Sequence, residues 1–437
     1  MNPATLRQAY RSPDIRKRAL IVLGLLIIFR LLAHVPVPVP DNVALANFLR
    51  TLFSSSKLLG TVDLFSGGAL SNFSIIMMGV GPYINASIIT QLLTQAVPRF
   101  EALSKEGEAG RQKINQYTRL MTLPLAILQS VGMVFLIRTT SKQTTGQDLI
   151  GHLNPFQWLL IILTITGGSI LLMWIGEIIT EKGIGNGISL IIFAGIIARL
   201  PTSLGQFTAL LSGDSGKLFT LIGFILATLA MIYFVVLLNE GQRNIPVSYA
   251  RRTRGSKIYA GVDTHLPLRV ITAGVIPIIF ALAFLSVPGF LAQLLTNAKT
   301  QWLAHAATGI NSFLSTTGTP YAIAYFGLVV VFTYFYTSVV FQPTDIAENL
   351  QKQGGFVPGI RPGRETASYL KRVLNRITLA GAVGLGIIAV LPFIVTRITG
   401  SSALTLGGTG LLIVVSVAIE TMRQVEAQAI TTSYDEY

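Results

Sequence analysis

The amino-acid sequence predicts an all-α membrane protein of ten transmembrane helices, arranged as two inverted five-helix halves. Three observations lead there. The chain of 437 residues is 51% hydrophobic and only 12% charged, with a mean hydropathy of +0.62, whereas soluble domains carry about 25% charged residues. Apolar runs recur along it, each of the 18 or so residues needed to cross a bilayer core about 30 Å thick. Most of the 33 Lys and Arg gather in alternate loops, the bias that fixes the orientation of membrane helices.

In chain order the spans fall at 19–36, 74–96, 118–138, 155–176, 184–201, 218–239, 270–293, 321–342, 374–396 and 404–422. The amino end is basic and meets the first span with no small-residue cleavage site, so it reads as an uncleaved start. Arg30 lies toward the outer end of that span, where it can snorkel to the interface. The basic tail, the loops after spans two, six and eight, Lys182 and Arg423 share one side, which places both termini in the cytoplasm. Five spans per half is an odd number, so the second half is inverted relative to the first. The halves are then 1–201 and 218–437, joined by an external hinge over 202–217.

Between the first two spans runs a short glycine-rich stub, Asp63 to Phe73 (DLFSGGALSNF). Its apolar residues Leu64, Phe65, Ala69, Leu70 and Phe73 have the spacing of one helical face, but it is far too short to cross a bilayer. The span that follows carries Gly79, Gly81, Pro82, Asn85, Ser87, Thr90 and Gln91. Polar or irregular backbone at membrane depth is tolerated only where protein or a water-filled cavity surrounds it. A stub dipping into the membrane ahead of a polar-streaked span therefore suggests a cavity with something seated in it. Asn85, Ser87, Gln91, Gln129, Asn186 and Ser189 suit a wettable seam, although interhelical hydrogen bonds worth about 0.6 kcal/mol each would explain any one of them equally well.

Two cytoplasmic loops, 241–269 and 343–373, are larger than a topology signal requires. Ile245–Ala250 and Lys257–Val262 are strand-like runs flanking Arg251, Arg252 and Arg254, which reads as a hairpin with a basic tip that includes Lys257. In the second loop GGFVPGIRPG (354–363) imposes a fixed non-helical path that holds Arg361 outward. Orientation alone would explain a basic loop; two projecting ones on one face favour docking of an acidic or RNA-rich partner.

Chemistry is conspicuous by its absence. The chain has no cysteine and four scattered histidines, too few and too far apart for a metal triad. It has no H-E-x-x-H, G-x-S-x-G or Walker lysine loop, so no cofactor is expected. Gly183–Gly187 (GIGNG) mimics a phosphate cradle, but no strand precedes it and a membrane helix follows, so it reads as a tight turn or close packing. The spans hold almost no charge, which counts against an ion-coupled carrier. Ile188 with Ile192, and Val80 with Ile84, each share a helical face, but composition does not separate lipid-facing from interior aliphatics.

Seven segments then resemble one family in order. They are DLFSGGALSNFSI (63–75), GPYINASIITQLL (81–93), EGEAGRQKINQYTR (106–119), MWIGEIITEKGIGNGISLIIFAG (173–195), THLPLRVITAGVIPIIFA (264–281), FVPGIRPG (356–363) and LGGTGLLIVV (406–415). Over essentially its whole length the chain resembles the SecY family, the large channel subunit of the bacterial Sec translocon. The resemblance implies a central hourglass pore in the cell membrane, conducting unfolded secretory polypeptides. Its ring would comprise Val80, Ile84, Ile188, Ile192, Ile279 and Ile413, with valine at the first position where relatives often have isoleucine. The plug helix would comprise Asp63, Leu64, Phe65, Ser66, Gly67, Gly68, Ala69, Leu70, Ser71, Asn72 and Phe73. A lateral gate would open between spans two and three on one side and seven and eight on the other, with Ser87, Thr90, Gln91 and Gln129 lining it. The implied partners are SecE and SecG, the SecA motor ATPase, the ribosome, secretory precursors and anionic lipids. The basic loops (Arg251, Arg252, Arg254, Lys257 and Arg361) would be the docking surface, and the chain itself would be no enzyme. An inverted-repeat solute carrier is the alternative, and an intramembrane enzyme a third reading.

Overall fold

The structure, a computed structural model, describes residues 12–39, 42–55, 63, 66–146, 148–151, 153–211, 217–249, 252–254, 257–259, 263–272, 274–296, 300–314, 318–399 and 403–435. Its first half contains α1 (Pro13–Leu32), α2 (Asn42–Ser55), α3 (Gly81–Ala96), α4 (Pro98–Lys105), α5 (Glu108–Thr145), α6 (Pro155–Lys182) and α7 (Gly187–Leu211). Its second half contains α8 (Lys217–Glu240), the strands β1 (Gln242–Tyr249), β2 (Arg252–Arg254), β3 (Lys257–Tyr259) and β4 (Asp263–Arg269), and α9 (Ile276–Leu295). After these come α10 (Gln301–Phe313), α11 (Thr319–Val340), α12 (Pro343–Lys352), β5 (Gly355–Phe356), α13 (Arg364–Thr399) and α14 (Ala403–Asp435). The protein is a ten-span helical membrane bundle, with α1, α3, α5, α6, α7, α8, α9, α11, α13 and α14 falling on the ten expected spans.

Local chemistry sets where these helices begin. At α6, Pro155 occupies the first turn, where a missing N–H costs nothing. Asn154 and Gln157 cap it reciprocally, the Asn154 N–H donating to Gln157 Oε1 at 2.9 Å. The fifth expected span starts at Gly187 rather than 184, because Asn186 Oδ1 accepts from the N–H groups of Ile188 at 3.1 Å and Ser189 at 3.3 Å. Asn186 is thus a helix cap, not part of a wettable seam. A Cβ at Gly187 would overlap the Gly176 carbonyl and one at Gly183 would press on Val22, which is close packing of the kind GIGNG suggests.

Several boundaries differ from expectation: α5, α13 and α14 overrun their spans by ten or more residues at one end and α9 starts at Ile276 rather than 270, and two others bear on the site. α3 begins at Gly81, not 74; residues 74–80 run as tight turns, with Gly79 at φ 57°. α7 continues through Pro201 to Leu211 and α8 opens at Lys217, so eleven of the residues expected in the hinge are helical.

The halves meet where α7 packs on α14 and α3 packs on α9. One hydrophobic cluster spans them, drawing residues from α1, α3, α6, α7, α8, α9, α11, α13 and α14. A second, smaller cluster joins α2, α5, α6 and residues 70–78. Large apolar side chains such as Leu20, Leu128, Phe156 and Leu226 lie exposed on outward helix faces, as lipid contact requires.

Candidate functional site

The six ring candidates come from five places in the chain: Val80 just before α3, Ile84 within it, Ile188 and Ile192 on α7, Ile279 on α9 and Ile413 on α14. Val80 (3%), Ile84 (8%), Ile192 (0%), Ile279 (7%) and Ile413 (0%) are all but inaccessible, and Ile188 is half-buried. Five belong to the one cluster that bridges the halves, and Ile188 packs against it. None offers a hydrogen-bond partner, so water or an ion entering there would lose hydration with nothing to replace it.

Ala69 of the stub joins that cluster, while Leu70 and Phe73 join the second. The stub is not the helix its spacing suggests. Gly67 (φ 67°), Gly68 (φ 86°) and Phe73 (φ 46°) occupy left-handed backbone, so residues 66–73 run as successive turns; glycine permits what a helix-forming residue resists. Leu64 and Phe65 lie outside the described residues. Beyond the stub the chain is stitched to the end of α1, Val37 N–H donating to Phe73 O at 2.9 Å and Ile75 N–H to Val35 O at 3.0 Å.

Polar contacts around the stub involve residues the sequence did not connect with it. Asp63 is 1% exposed; its carboxylate pairs with Arg199 at 2.5 Å and accepts the Ser71 N–H at 2.9 Å. Arg30 does not snorkel. Its Nη1 donates to the Gly67 carbonyl at 2.8 Å, while Arg50 donates to Asn72 Oδ1 at 3.2 Å. The available signal was one acid on the stub facing isolated arginines in apolar sequence.

Of the gate candidates, Thr90 is buried and its hydroxyl meets that of Thr118 on α5 at 2.8 Å. Gln91 donates to Ser87 Oγ at 3.0 Å. These bonds join α3 to α5 or stay within α3, so both partners lie on one side of the expected gate. Gln129 is half-buried on α5. Across the seam the contact is apolar: a Cβ at Gly132 on α5 would meet the ring of Phe290 on α9 at 2.8 Å. This glycine notch and aromatic knob were not visible in spacing.

The basic loops form one folded unit. Among the described residues, 245–249 do not pair with 257–259 as expected. β1 instead pairs antiparallel with β4 (Gln242 opposite Arg269, Ser248 opposite Asp263), while β2 pairs with β3 farther out. Arg251 lies outside the described residues; Arg252, Arg254 and Lys257 are on the β2–β3 ladder. β5 adds to the other edge of β1, Ser248 opposite Phe356, giving the order β4-β1-β5. Ile245, Leu268, Val357, Leu370 and Val373 form a small core beneath this sheet. Arg361 is exposed in a turn where its carbonyl accepts from Thr366 Oγ1 at 2.8 Å, between Gly359 (φ 80°) and Gly363 (φ 96°). Among the described residues no His, Cys, Asp and Glu cluster could hold a metal.

Comparison with known proteins places this geometry. The SecY family model matches residues 74–422. The protein translocase subunit SecY of Corynebacterium glutamicum is 42% identical, with 98% of each chain covered. Among solved structures, one titled for a SecY plug domain that stabilises the closed state of the translocation channel and maintains a membrane seal matches with TM-score 0.66 at 19% identity, covering 96% of this chain and 94% of that one. Sec61 in a canine ribosome–channel complex matches with TM-score 0.63 at 20% identity and the same coverage. At those identities the two structural matches speak for the fold.

Proposed function

The chain belongs to the SecY family, and from that premise we propose that it is the passive protein-conducting channel of a Sec translocon. It passes unfolded secretory polypeptides across the plasma membrane and releases apolar segments sideways into lipid. The observation that carries this reading is the burial of Val80, Ile84, Ile192, Ile279 and Ile413, with half-buried Ile188, in one apolar cluster that also receives Ala69 of the stub. At rest that waist excludes water because no group in it replaces hydration. A polypeptide segment supplies its own bulk, and branched aliphatic side chains close around it without specific bonds. A solute carrier has no comparable support, since such sites place polar or charged groups at mid-membrane.

Entry is a population shift. A signal sequence leaving through the seam between α3–α5 and α9–α11 buries apolar surface in lipid, at about 25 cal/mol per Å². That differential binding favours the open state. Net movement draws on energy from outside, either the SecA motor or a translating ribosome, both docking on the joined loops. Arg361 contacts the motor, and Arg251, Arg252, Arg254 and Lys257 extend the basic surface. SecE and SecG flank the bundle, anionic lipids surround its basic face, and both termini are cytoplasmic.

Two measurements test this. Deleting 63–73 raises ion leak across vesicles holding the reconstituted channel; an unchanged leak removes the plug from the account. Arg361→Glu abolishes motor-driven export while the protein still accumulates and binds its membrane subunits. Normal export by that variant rules out its docking role.

A further inference from the structure

The seal proposed above requires the stub to stay seated until a polypeptide arrives, and charged groups surround it in an otherwise apolar setting. Asp63 is its only acid. The carboxylate is paired with Arg199 at 2.5 Å, and Arg199 also donates to Ser71 Oγ at 3.2 Å. Within the stub, Asp63 Oδ1 accepts the Ser71 N–H at 2.9 Å and the Ser66 hydroxyl at 3.4 Å. From α1, Arg30 donates to the Gly67 carbonyl at 2.8 Å. The fit is close: a Cβ on Gly67 would lie 2.8 Å from the Gly195 Cα, and one on Gly68 would lie 3.3 Å from Arg199 Nε.

We propose that Arg199 is a positioning residue for the stub, and that its ion pair with Asp63, backed by Arg30, is a latch setting the closed–open balance of the channel. This rests on the stub being the seal. The two partners are unequally placed. The Asp63 side chain is 1% exposed and that of Arg199 is 29% exposed, so water reaches the cation and not the anion. Losing Arg199 leaves a buried carboxylate with one N–H and one hydroxyl, and a buried charge stripped of its partner is strongly unfavourable. Unseating the stub then relieves that carboxylate by hydrating it. Losing the charge on Asp63 leaves no buried anion: Arg199, which solvent already wets, keeps its bond to Ser71 Oγ, and Arg30 keeps the Gly67 carbonyl. A purely apolar seal predicts no such asymmetry.

The test is ion leak without precursor, through the full chain reconstituted with its co-purifying subunits. Arg199→Gln raises leak roughly tenfold, Asp63→Asn raises it less, and the double variant leaks like Asp63→Asn because no buried charge remains. Arg199→Lys stays near wild type. Wild-type leak in Arg199→Gln overturns the latch, as does Asp63→Asn leaking as much as Arg199→Gln. Deletion of 63–73 separates the two levels of the argument. If the deletion leaks and Arg199→Gln does not, the latch fails and the seal stands; if the deletion itself does not leak, the seal fails first. Should Arg199→Gln not accumulate, Asp63→Asn decides alone, since its leak must exceed wild type. The chain lacks cysteine, so Ala69→Cys, at a position with 0% exposure, gives a second readout. An impermeant maleimide added outside labels it several-fold faster with Arg199→Gln than without, and equal rates count against the latch.

Discussion

Ile192 has no exposed surface, and its place in the proposed waist rests on branched hydrocarbon alone. Ile192→Asn gives that spot a donor and an acceptor, so it lets water form a continuous thread and raises ion leak about tenfold. Ile192→Leu, of equal volume, leaves leak near wild type. Equal leak in both would mean that polarity at this position does not gate hydration. On the loop after α5, Asp148 pairs with Arg138 at 2.7 Å and Lys142 at 3.2 Å. Burial pushes its carboxyl up, but the two cations outweigh burial and hold it below its ordinary value. A depressed carboxyl contributes stability that is complete above its unfolded pKa of about 3.9 and is lost as pH falls through the folded one. Asp148→Asn therefore lowers the unfolding temperature at pH 7, and the difference shrinks in acid; a difference undiminished at low pH contradicts the assignment. Single residues were the least legible scale. Periodicity could pair Ile188 with Ile192 but had no means of telling bundle from lipid, and only the family resemblance selected six aliphatics from dozens. Arg199 and Arg30 escaped because their partner is a turn whose path depends on positive φ at Gly67 and Gly68.

Whole elements were easier to read, and the errors among them have physical causes. Ten helices fall on the hydropathic runs because a bilayer core demands a long apolar stretch of each, although α5, α13 and α14 continue well past theirs. Residues 66–80 escaped helix formation because Gly67, Gly68, Phe73 and Gly79 take left-handed conformations, which apolar spacing does not report. The basic hairpin was legible as strand, but its register was not. β1 pairs with the distant β4 so that Ile245 and Leu268 share the core under the sheet, and pairing with 257–262 would forgo that burial. Close helix packing is testable at Gly168, where a Cβ would overlap the Ile75 carbonyl of the turn segment. Gly168→Leu forces α6 away from 74–79 and destabilises the protein by about 1–3 kcal/mol, read as a lower unfolding temperature in detergent. Gly167→Leu, one residue earlier, meets nothing within 4 Å and should be tolerated; similar losses in both would point to helix propensity rather than packing.

At the scale of the molecule, the ten-span bundle was legible from hydropathy, because spans obey the bilayer whatever the side-chain detail. Their mutual fit was not, since the α5–α9 seam closes on a glycine notch and an aromatic ring, Gly132 and Phe290, that carry no pattern of their own. The proposed waist is composite: Ile192 comes from α7 of the first half and Ile279 from α9 of the second, yet both lie in the same cluster. A polypeptide threading between the halves must touch both walls, whereas one sliding along a groove on either half alone would touch a single wall. Photoreactive side chains placed at 192 and at 279 in separate variants distinguish these paths. With a precursor stalled during export, both positions crosslink to the precursor, and neither does so when translocation is not started. Labelling from one wall only, or crosslinks to lipid from either, would mean that the polypeptide passes elsewhere and that these buried isoleucines serve packing alone.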